Sequence, residues 1–144
     1  METCYVCGGD AVLVDEPREV PVGNRSVVVD DRFYRCQDCG ETFYTGDMGD
    51  ETLRRASTAV RREEGLLMPD EIREIRQRYG LSQADLERLI GAGPKTVVRW
   101  ERGTIFQNRT ADTLLRVLRD HPEVVAELTR ERGPRVAAGE RVSA

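Results

Sequence analysis

Four cysteines stand in two C-x2-C pairs, Cys4 with Cys7 and Cys36 with Cys39, and each pair runs directly into a glycine, Gly8 or Gly40. Two such pairs can wrap four thiolates round one tetrahedral ion, and the glycine lets the backbone turn back around it without a side-chain penalty. Four independent thiols or two disulfides are the alternatives. Paired C-x2-C spacing favours a metal, with Zn²⁺ the expected ion. The 28 residues between the pairs exceed the interval of a short finger, so a small sheet must fit between them. Tyr5, Val6, Phe33 and Tyr34 lie beside the cysteines in sequence and can shield the site from water.

The rest of the composition narrows the setting. No N-terminal apolar stretch resembles a signal peptide, and no run reaches membrane-spanning length, so a cytoplasmic protein without a membrane partner is expected. In the cytosol thiols stay reduced, which again favours metal over disulfides. The formal net charge of −4 conceals an asymmetry. Residues 1–60 carry 12 acidic and 6 basic side chains, net −6, whereas residues 88–119 carry 7 basic and 2 acidic, net +5. One half is therefore suited to a phosphate backbone and the other to a different partner. The competing reading is that these arginines simply solvate helix faces.

Two domains are expected, in an α+β chain. Residues 1–66 form the first: short strands over residues 12–14, 27–29, 33–35 and 42–44, with turns at Gly8-Gly9, Gly23-Asn24 and Gly46, then a linker helix from about Asp50 to Glu64. So small a β-rich segment buries little apolar surface, and metal ligation must supply part of its stability. Residues 67–132 form an all-α domain of five helices. The first runs from about Asp70 to Tyr79, and Ser82 caps the second, from Gln83 to Ile90. The third begins at Pro94, and Thr110 can cap the fourth. The fifth runs from about Pro122 to Arg132. Residues 133–144 read as a flexible tail.

Residues 81–103, LSQADLERLIGAGPKTVVRWERG, place a glycine-bearing turn between two short helices, the second of them basic. That arrangement lays a recognition helix in the DNA major groove. The stretch resembles the helix-turn-helix of the XRE, or lambda-repressor-like, family through Leu81-Ser82-Gln83, Gly91, and Val97 and Trp100 ahead of Glu101-Arg102-Gly103. Together with the four-cysteine segment and LLRVLRDHPEVVAEL near the end, the chain resembles the MqsA family of zinc-containing antitoxins. The resemblance implies a homodimer whose zinc domain neutralises a ribonuclease toxin. It also implies that the helical domain binds double-stranded operator DNA and represses the shared operon.

By the same resemblance the zinc ligands are Cys4, Cys7, Cys36 and Cys39, and the guanine-reading arginine falls on Arg99. The DNA-binding set is Gln83, Lys95, Thr96, Arg99 and Arg102, with Gln83 and Arg102 expected on phosphates. Lys95 stands where the family has an asparagine. Residues 95 and 99 are expected to share a helical face, but lysine offers a point charge where asparagine can pair bidentately. Glu87 occupies a position usually held by a small residue, so either the helices splay or Glu87 points outward. No catalytic arrangement is recognisable, and four thiolates leave a zinc ion no open position; an enzyme is not expected. His121, the single histidine, is read as structural. A zinc-containing XRE-family regulator without a toxin, or a thiol redox sensor, are the competing functions.

Overall fold

A computed structural model describes residues 1–132; the expected tail over residues 133–144 lies outside them. The described residues divide into two compact units, one of Met1–Gly65 with Gly103–Phe106, the other of Leu66–Arg102 with the described residues from Gln107 onward.

The first unit is a four-stranded antiparallel sheet and one helix. Strands β1 (Glu2–Thr3), β2 (Asp10–Val22), β3 (Arg25–Cys36) and β4 (Thr42–Phe43) lie side by side in chain order, followed by α1 (Met48–Glu64). The strands expected over residues 27–29 and 33–35 are one strand. The one expected over residues 12–14 continues to Val22, pairing with β3 from Ala11↔Cys36 to Val22↔Arg25. Pro17 and Pro21 did not end it. They are four apart and so turn the same edge of β2, and β1 pairs only with Asp10 and Ala11, so beyond Ala11 that edge needs no N–H donors. Gly23, at φ 61°, supplies the left-handed residue of the two-residue hairpin turn.

Alternation along the hairpin sends Val20 and Val22 into contact with Ala56 and Val60 of α1, backed by Val27, Val29 and Phe106. A buried valine contributes only about 1.5–3 kcal/mol, so this core is thin. Polar bonds supplement it. Buried Asp31 accepts from Arg18 Nε at 3.0 Å, from the Tyr44 hydroxyl at 2.7 Å and from the Thr52 hydroxyl, tying β3 to α1. The Arg18 guanidinium also lies 3.7 Å from the centroid of the buried Phe33 ring. Residues 103–106, expected as a loop of the helical domain, complete the first unit instead. Ser57 Oγ donates to the Thr104 carbonyl at 3.0 Å, and fully buried Arg61 donates through Nη2 to the Ile105 carbonyl at 2.7 Å.

Five helices build the second unit: α2 (Pro69–Arg78), α3 (Gln83–Ile90), α4 (Thr96–Arg102), α5 (Arg109–Asp120) and α6 (Pro122–Arg132). Each contributes to one apolar core, which includes Ile72, Ile75, Leu86, Leu89, Val97, Trp100, Leu115, Leu118 and Val125. Ser82 and Asp85 form a reciprocal capping box at the start of α3. The cap of α5 is Asn108, whose Oδ1 accepts from the Ala111 N–H at 2.8 Å, rather than Thr110. Amide side chains lead the capping ranking, and α5 begins at Arg109, which leaves Thr110 inside its first turn. Buried Asp112 joins Leu67, Gln107 and Arg116 through bonds of 2.8–2.9 Å.

Candidate metal centre and nucleic-acid interface

The two cysteine pairs sit on matching turns. Gly8 N–H donates to the Cys4 carbonyl at 2.9 Å and Gly40 N–H to the Cys36 carbonyl at 3.1 Å, and both glycines have φ 77°. In this left-handed region a glycine closes each turn without steric cost. Backbone N–H groups of Val6, Gly9 and Asp38 point at the sulfurs of Cys4, Cys7 and Cys36, each at 3.4 Å, which favours thiolates over thiols.

All four Sγ atoms lie within 4.8 Å of one another, with Cys4 and Cys39 3.7 Å apart and Cys7 and Cys36 3.4 Å apart. An ion about 2.3 Å from each of four sulfurs would space them about 3.8 Å, so the cluster fits a tetrahedral metal. Cys4 and Cys36 are buried against Ala11, while Cys7 and Cys39 are exposed. The Cys36 thiol is held down to about 7, first by the Cys39 backbone N–H and further by that of Asp38, against the effect of burial. Cys39 is pushed up to about 12; the Glu41 backbone favours its thiolate, but burial and the thiols of Cys7, Cys4 and Cys36 outweigh it. Four sulfurs this close cannot all ionise without a cation between them.

Beside the cluster, Phe43 stacks on Tyr34 at 5.7 Å and meets Tyr5 edge-on at 5.6 Å. Tyr5 is 73% exposed, so this aromatic group covers one side of the cluster and still presents a surface.

In the second unit, α3, the turn at Gly91 and α4 form a helix-turn-helix. Lys95, Arg99 and Arg102 are exposed, and Thr96 is partly buried beside Gly93. α4 begins at Thr96, two residues later than the expected Pro94, because Lys95 has φ 66° and cannot be helical. Lys95 therefore precedes the helix, and helical spacing does not place its side chain on the face of Arg99. Gln83, expected on a phosphate, has its Nε2 donating to Glu101 Oε1 at 3.1 Å.

Two site residues have roles that the sequence does not reveal. Glu101 is buried and takes a bidentate pair of bonds from Arg76, at 2.7 and 2.9 Å, with Arg73 at 3.5 Å, fixing the end of α4 to α2. Desolvation opposes its charge, but Arg76 above all, then Gln83 and Arg73, holds its carboxyl below the usual range. Glu87 does not point outward. It is buried, and its Oε2 accepts from the Val97 N–H at 2.9 Å. Its length reaches the next helix, which a pattern keyed to small residues does not foresee.

Comparison with known proteins finds similarity over most of this chain. Residues 1–129 match the family model described as the antitoxin component of a bacterial toxin-antitoxin system, MqsA. Antitoxin MqsA of Escherichia coli (strain K12) is 24% identical over 131 residues, 87% of this chain and 98% of that protein. Antitoxin HigA-2 of Vibrio cholerae is 34% identical over 62 residues, 43% of this chain, and the match spans 60% of that protein's length.

Proposed function

The chain belongs to the MqsA antitoxin family, and from that premise we propose that it neutralises a ribonuclease toxin and represses its own operon as a cytoplasmic homodimer. The observation that carries this reading is the family match across residues 1–129, which takes in both the four-sulfur cluster and the helix-turn-helix.

We assign Zn²⁺ to Cys4, Cys7, Cys36 and Cys39. Bound there, the ion cross-links the two turns and offsets thiolate repulsion, and its role is structural because four sulfurs complete its tetrahedron. Four thiolates on a dication leave about −2, which adds to the net −6 of residues 1–60. An acidic unit of this kind draws a ribonuclease whose own RNA site must be positive. The aromatic group at Tyr5 offers an anchor of the kind that dominates protein interfaces.

DNA recognition falls to α4. Arg99 suits bidentate contact with a guanine, with Thr96 and Arg102 three residues to either side of it and Lys95 just ahead of the helix. Gln83 acts with its amide already oriented by Glu101, leaving the second N–H of Nε2 to donate to a phosphate.

Two measurements on the full chain test the two halves. Co-expressed with the product of the neighbouring reading frame, the chain should co-purify with it. Failure removes the toxin-binding role and leaves a zinc-bearing regulator. In a shift assay it should prefer DNA from upstream of its own reading frame to a scrambled duplex. Equal binding removes the specific-repressor role.

A further inference from the structure

We infer that Glu87 is a positioning residue for operator recognition: its buried carboxylate caps the start of α4 from the preceding helix and so sets how Arg99 is presented. This rests on the DNA-binding reading given above.

The first N–H groups of any helix lack partners within it, and an acceptor just ahead of the helix normally supplies one. Here the residue in that place is Lys95, whose carbonyl accepts from the Arg99 N–H at 3.1 Å. Its side chain is all donor and cannot cap. Its φ of 66° belongs to a region that non-glycine residues seldom adopt, so the entry to α4 is strained, and although the Thr96 N–H reaches the Gly93 carbonyl at 3.3 Å, Lys95 supplies no side-chain cap for the next N–H.

Glu87 meets that need from eight residues earlier. Its Oε2 accepts from the buried Val97 N–H, and its backbone carbonyl accepts from the N–H groups of Gly91 and Ala92, the latter at 2.8 Å. One residue thus ends α3 and begins α4. Arg99 follows Val97 by two residues, so the point fixed by Glu87 lies about half a turn before the side chain that reads the base. A shift in the start of so short a helix moves Arg99 with it, and a bidentate contact tolerates little movement.

The test compares wild type, Glu87→Ala and Glu87→Gln for binding to a duplex from upstream of the chain's own reading frame and to a scrambled duplex. Glu87→Ala should lower the ratio of specific to non-specific affinity by roughly two- to thirtyfold, the range set by loss of a helix cap, while affinity for the scrambled duplex changes little. Glu87→Gln keeps an acceptor oxygen and should retain most of the ratio. Independently of any variant, the wild-type Val97 amide should exchange in D2O about tenfold or more slowly than an exposed amide of the same turn.

An unchanged ratio in Glu87→Ala, equal loss in both variants, equal loss on both duplexes, or rapid Val97 exchange in the wild type would each overturn the role. If the wild type itself binds both duplexes equally, the repressor reading fails and this role fails with it.

Discussion

Arg99 stands exposed on α4, and on the proposed reading it is the position where a single substitution reports most directly on recognition. Arg99→Ala should cost about 1–3 kcal/mol of binding to the preferred duplex and relax discrimination at one base pair, read by titration against single-base variants. The cysteines carry a different kind of prediction. Cys36→Ser should reduce the zinc-to-chain ratio from near one towards zero and open the first unit to protease while the helical unit stays resistant, as metal analysis and limited digestion would show. The cysteine cluster was legible because paired ligands with two residues between them on a glycine turn are a local signal, complete within five residues. The cap from Glu87 was not, because its partner is ten residues away and only the folded turn brings a long side chain onto Val97.

Among the elements, α2 and α4 are joined by Arg76 and Glu101, while α5 joins the stretch before α2 through Asp112 and Leu67. Both acids are partly desolvated, yet Arg76 and Arg116 with their hydrogen-bonded neighbours hold each carboxyl below its ordinary value, 4.5 for Glu101 and 3.8 for Asp112. A depressed folded pKa contributes stability above the unfolded value and loses it as pH falls through the folded one. The helical unit should therefore hold its stability from neutral pH down to about 4.5 and lose it progressively below, with Glu101→Gln flattening that slope in thermal melts at pH 3–7. Helix order and type followed from apolar periodicity and capping residues. The merging of two expected strands into β3, and the passage of β2 through two prolines, depended on which strand edge was left without a partner. No local pattern encodes that.

For the molecule as a whole, unit and sequence block do not coincide. The first unit is complete only when Gly103–Phe106 returns to it and presents the Thr104 and Ile105 carbonyls to Ser57 and Arg61. A fragment ending at Gly65 loses both acceptors and the contact of Phe106 with the valine core. With zinc bound it should still be less stable than the same unit in the full chain, by about 2–5 kcal/mol for the buried arginine and the lost ring together, measured by hydrogen exchange of β2 and β3. Boundaries drawn from composition place residues 103–106 with the helices around them, since four loop residues carry no sign of their destination.

Synthesis adds a time dimension to the same detour. A ribosome that has made Gly65 must still make the 41 residues from Leu66 to Phe106, about 2–8 s of translation, before the first unit has all its parts. Within that interval the cysteine turns emerge in the order Cys4, Cys7, Cys36, Cys39, so the newborn chain can be held by a metal while it waits for its last loop.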